Sequence, residues 1–184
     1  MTAFDLPRAL EFGGRSWEID GDYRNVLLIL AAFDDSELSD AEKAFVCIHN
    51  LYRDAEEIPT GCLQEAYNAA SRFIDHGADG ERGPRTMDWQ QDADIIFAAV
   101  NRVAGREVRS VEFLHWWTFM GYFMEIKGTT ASTVFALRQK RARGKKLEKW
   151  EKEYWDQNRS LCALKPRLTD EEQAERDRLN ALLG

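Results

Sequence analysis

Glu112 and His115 stand three residues apart in SVEFLHWWTF, the spacing that puts a carboxylate and an imidazole on one helical face, as in di-iron bundles. Such a centre needs a second Glu-x-x-His, and the sequence has none, so His115 is expected to be a buried histidine held by hydrogen bonds. Cys47 and His49 are two residues apart and would point to different sides of a helix, which leaves a thiol nucleophile without its base. Asp92 and Asp94 have the makings of an acid–base pair or a hard-cation site. The positive end of a helix dipole accounts for both more simply, because acidic residues favour the first turn. The chain also lacks G-x-x-x-x-G-K-[ST], G-x-G-x-x-G and H-E-x-x-H, the phosphate-cradling and zinc-hydrolase signatures. No catalytic residue, metal ligand or cofactor is assigned, and no enzyme is expected.

A different chemistry is suggested by the run from Arg138 to Lys152, RQKRARGKKLEKWEK, with eight basic residues against two acidic ones in a chain whose net charge is -7. Arg138, Lys140, Arg141, Arg143, Lys145 and Lys146, with Trp150 and Trp155 beside them, form the candidate partner-binding surface. A solvated helical face is the commoner origin of such a run. Nucleic acid ranks third as an explanation, because the field of the whole domain opposes phosphate. The two tryptophans either anchor a partner or dock their helix onto the core.

The elements that carry these residues read as helices. With 184 residues, 44% of them apolar and 31% charged, the chain is long enough to bury a core in one domain without disulfides or metal. Cys47, Cys62 and Cys162 are widely spaced and suit reduced thiols. The N-terminus shows no basic region followed by an apolar run, so no leader is expected. The longest apolar run, Val26 to Phe33, is far short of the ~20 residues that a membrane helix needs.

Gly13 and Gly14 sit between two short runs and predict a β-hairpin over about residues 8–20. Asp20 or Asp22 caps a helix carrying Tyr23, Val26, Leu27 and Leu30. Ser39 and Glu42 form a capping box ahead of Phe45, Ile48, Leu51 and Tyr52. Thr60 is expected to cap a third helix, which closes near Gly77. The Gly77 to Arg85 stretch, with three glycines and a proline, is expected to be an exposed loop. Asp88 with Gln91 starts a fourth helix that ends at Gly105. Ser110 opens the next, in which Phe113, Trp116, Trp117, Phe119, Tyr122 and Phe123 fall on nearly every face, so that helix is expected to be surrounded by protein. Shorter helices follow over Thr130 to Gln139 and Lys145 to Leu161, and a capping box at Thr169 starts a last one over about 169–183, loosely attached. The fold class is therefore mainly α: a single domain of six or seven helices with a small N-terminal β-hairpin and a helical core over about 22–164.

In the order of its motifs the chain resembles the siphophage gene-product-fifteen family. The resemblance lies in Asp92-Ala-Asp94 opening an Ile-Phe-Ala-Ala helix, a turn at Gly105, Leu114-His115-Trp116-Trp117 followed by Phe119, and a basic helix ending near Leu164. It covers about 70 residues closely, and the Gly-rich loop and the TTASTVF stretch depart from it. The genes of that family sit among tail-morphogenesis genes close to the tape-measure gene. The resemblance implies a tail assembly chaperone that binds the tape-measure protein or another phage tail protein in the host cytoplasm, possesses no catalysis, and is not expected in the mature virion. It leaves open self-association, and also a structural virion part, such as a connector or tail-completion subunit.

Overall fold

The computed structural model describes residues 5–76 and 83–166, together with Ala174 and Arg178. It is mainly helical with one small antiparallel hairpin, as the sequence predicts. Strands β1 (Ala9–Phe12) and β2 (Arg15–Glu18) pair in the register Leu10 to Trp17 and Phe12 to Arg15. Gly13 and Gly14 make the turn with φ of 56° and 73°, a pair of left-handed angles that a two-residue hairpin requires. The buried side chains of the hairpin, Phe12 and Trp17, stack with centroids 5.3 Å apart.

Helices α1 (Tyr23–Asp34) and α2 (Asp40–Leu51) begin at Asp22 and at the Ser39–Glu42 capping box, both as read from the sequence. Thr60 does not cap the third helix. It opens a 3-10 turn, and α3 (Leu63–Ile74) follows from Leu63. The Asp88 carboxylate accepts from the amides of Gln90 and Gln91 at 2.9 and 2.7 Å, but turns intervene before α4 (Ala93–Ala104), which closes at Gly105. The aromatic helix α5 (Trp116–Met124) is shorter than expected: residues 110–115 are not α-helical, and Phe113 is 55% exposed. Only Trp116 and Phe119 in it are fully covered, so the segment is half core and half surface. Helix α6 (Thr130–Ala142) runs three residues beyond the expected end, and the charged segment after it divides at Asn158 into α7 (Lys149–Gln157) and α8 (Arg159–Cys162). The expected helix over 169–183, apart from the helical Ala174 and Arg178, and residues 77–82 of the Gly-rich loop lie outside the described residues.

The helices pack in a sequence of neighbours: α3 on α2, α2 on α1, α1 on α5, α5 on α4, α4 on α6, and α8 beside α6 and α7. Tyr23, Trp116 and Phe119 stack in the middle, Tyr23 to Phe119 at 4.7 Å and Trp116 to Phe119 at 5.8 Å. A smaller cluster of Val134, Leu137 and Cys162 ties the last helices together. Among the described residues no helix is long and apolar enough to cross a membrane.

Candidate functional site

Leu114-His115-Trp116-Trp117 is a junction built by local necessities. Its backbone lies against residues 21–23: the Trp116 amide donates to the Gly21 carbonyl at 2.8 Å, and the Tyr23 amide donates to the Leu114 carbonyl at 3.0 Å. Asp22 uses one carboxylate oxygen to cap α1 through the Arg24 amide and the other to accept from the Leu114 amide at 3.0 Å. Gly21 suits the close approach here, since a Cβ would lie 3.0 Å from His115 Nε2 and the imidazole would have to shift.

His115 caps α5, its Nδ1 accepting from the Trp117 amide at 3.1 Å. Nδ1 therefore carries no proton, and Nε2–H donates to the Pro7 carbonyl at 2.9 Å. Burial, the largest influence, lowers its pKa below the usual value. Glu112 is exposed and lies ahead of the helix, so it shares no helical face with His115. Among the described residues no three His, Cys, Asp or Glu side chains gather as a metal site.

The paired tryptophans have a definite task. Helix α3 ends with carbonyls that no further helical turn covers, although the Phe73 carbonyl also accepts from the His76 amide at 3.2 Å. Trp116 Nε1–H donates to the Ile74 carbonyl at 2.9 Å, and Trp117 Nε1–H donates to the Phe73 carbonyl at 3.0 Å. Trp116 is buried, whereas Trp117 remains half-buried, stacked on Phe73.

Asp92 and Arg138 correct two expectations together. Asp92 is not a solvated dipole acid, and Arg138 is not part of an exposed basic face. They form a buried fork, Nη1 to Oδ2 at 2.6 Å and Nη2 to Oδ1 at 2.9 Å. The remaining guanidinium hydrogens donate to the carbonyls of Cys162 at 2.9 Å, Leu161 at 2.8 Å and Thr86 at 3.2 Å. All five donors are thereby used, which is what keeps a buried arginine tolerable. Asp94, by contrast, is exposed. Sequence spacing carried no signal for this pair, because 46 residues separate its members.

The rest of the basic run divides. Lys140 pairs with buried Glu151, and Arg141 lies 4.2 Å over the ring of half-buried Trp155, so these fasten α6 to α7. Arg143, Lys145, Lys146, Lys149 and Lys152 are exposed around the turn between the two helices, and Trp150 is 55% exposed beside them. That tip is the surviving basic candidate surface.

Two apolar grooves were missed in the sequence, because their lining residues sit on stripes that otherwise read as core. One, of about 950 Å³, lies between α2 and α3 and is lined by Phe33, Phe45, Ile48, Leu63 and Tyr67, together with Asp40 and Glu56. The other, of about 490 Å³, runs along α1 and α4 past Leu27, Leu28, Trp89 and Phe97.

The fold and these surfaces define a helical protein in which, among the described residues, the buried Asp22, Asp92, His115, Arg138 and Glu151 are each bonded within its own architecture. Its sequence matches the family described as Bacteriophage Gp15 protein over residues 4–164, and the chain belongs to that family. It is thus a phage protein. No curated protein and no solved structure matches it.

Proposed function

We propose that the protein is a tail assembly chaperone that binds the tape-measure protein during tail morphogenesis, in the host cytoplasm and without catalysis. The observation that carries this reading is the open apolar groove along α1 and α4, where Leu28 is 59% exposed and Leu27, Trp89 and Phe97 form the floor. A tape-measure chain is long and helix-rich, with apolar stripes that aggregate if left bare. A groove between two helices receives such a stripe, and its modest size suits a contact that growth of the tail tube can displace. Many weak contacts along one client hold it by avidity.

The test is co-expression with the neighbouring tape-measure gene. The two proteins should purify together, and Leu28→Asp, on a surface position with little effect on folding, should reduce the captured tape measure by roughly tenfold or more. Failure of the wild-type protein to retain the tape measure would contradict the proposal. A second reading, a subunit built into the particle, is favoured by other exposed apolar side chains, Phe113 and Met124, at 55% and 63% exposure. Such a subunit would be recovered in stoichiometric amount from purified virions.

A further inference from the structure

Charge is divided unevenly between the two ends of this molecule. Residues 34–65, which include α2 and the turns leading to α3, hold nine acidic side chains against Lys43 and Arg53. The Arg138 to Lys152 run holds eight basic against two acidic. Subtracting the members tied up internally, Arg138 on Asp92 and Lys140 on Glu151, still leaves the exposed tip strongly basic. In the packing order the α2–α3 pair stands at one end and the α6–α7 pair at the other, with α1, α5 and α4 between them. At the acidic end Glu57 is tied to Arg15 at 3.1 Å, and among the described residues neither Asp40 nor Glu56 forms an ion pair with the basic tip.

Each end also carries an uncovered apolar feature. The acidic end has the groove of about 950 Å³, whose lining includes Phe45, 60% exposed, with Asp40, Lys43, His49 and Glu56. The basic end has Trp150, whose indole nitrogen donates to Glu148 at 3.1 Å while its ring stays 55% exposed. An aromatic side chain with Lys145, Lys146 and Lys149 close to it in sequence complements an apolar groove whose lining carries Asp40 and Glu56 against Lys43 and His49, within a segment that is acidic as a whole.

We propose that copies of this chain associate head to tail, the α6–α7 tip of one copy seating Trp150 in the α2–α3 groove of the next. The two surfaces are different and sit at separate ends, so the contact is heterologous and repeats as a row or closes as a ring. It does not involve the α1–α4 groove, and it stands whether or not the tape measure is the client.

The experiment is analytical ultracentrifugation of the full-length protein alone, with no client, over a range of concentrations. Wild type should associate at about 0.1 M salt and dissociate near 1 M, as the screening length falls from about 10 Å to about 3 Å. Two variants separate the ends. Reversing the tip with Lys145→Glu, Lys146→Glu and Lys149→Glu, or the groove with Asp40→Lys and Glu56→Lys, should each weaken self-association by roughly tenfold or more. Mixing the two variants should restore it, since every tip then meets a groove of opposite sign. Circular dichroism checks that each variant is folded, and Trp150→Ala supplies a change that reverses no charge. A folded wild-type protein that stays monomeric at low salt overturns the proposal, as does association that neither reversal weakens or that mixing leaves unrestored.

Discussion

Arg138 shows how far the environment of a side chain can depart from the company it keeps in sequence. Its sequence neighbours Arg143, Lys145 and Lys146 are exposed cations, yet its guanidinium is enclosed by Asp92 and three backbone carbonyls. Removing one partner strands the other charge in the interior, so Asp92→Ala or Arg138→Met should each cost about 3–5 kcal/mol in urea unfolding. The double variant should cost clearly less than the sum, because no buried charge is left unpaired. Additive losses would show that the pair is not coupled. His115 makes a second prediction at this scale. Its pKa is lowered in the fold, so the unfolded chain takes up a proton first as pH falls through the ordinary value of 6.5. The stability it contributes is complete above that pH and declines below it, toward the lower folded value. His115→Asn, which keeps a capping side chain, should flatten that decline in melting temperature between about pH 7 and about pH 5. An identical pH profile in both proteins would refute the assignment. Cys47, enclosed in the core with its thiol pushed up to about 12, should resist alkylation in the native state while the half-buried Cys62 reacts.

At the scale of elements, the tryptophan pair explains why one helix ends where another begins. Trp116→Phe keeps most of the packing but strands the Ile74 carbonyl, and should cost about 1–3 kcal/mol; Trp116→Ala should cost about 3–5 kcal/mol. Trp117→Phe should cost less than the matching change at Trp116, because its site is only half-buried and the Phe73 carbonyl keeps the His76 amide as a donor at 3.2 Å. Equal losses at both positions in urea unfolding would overturn this ranking. Much of the element structure was legible in the sequence because its signals are local: Gly13–Gly14, the capping Asp22, the Ser39 box and Gly105 each act within a few residues. Where the reading departed, a distant contact decided. His115 caps α5 because residues 114–116 pair with 21–23, which holds Ser110 to His115 out of the helix. The burial of His115 was legible from its apolar surroundings. The Asp92–Arg138 fork and both grooves were not, since each depends on how separate helices come together.

For the whole molecule, the ordering of helices places a groove within an acidic segment on α2 and α3, a basic tip between α6 and α7, and an apolar groove along α1 and α4. The chemistry suggested by the histidine and the paired aspartates of the sequence resolves into internal fastening at His115 and Asp92, with Asp94 exposed. In the proposed role the protein grips a client during assembly and leaves before the particle is finished. The decisive experiment is quantitative mass spectrometry of purified virions, with the tape-measure protein as internal standard and the infected-cell extract as the comparison. Abundant protein bound to the tape measure in the extract and only traces in virions are expected. A fixed, stoichiometric number of copies in every virion would contradict that role.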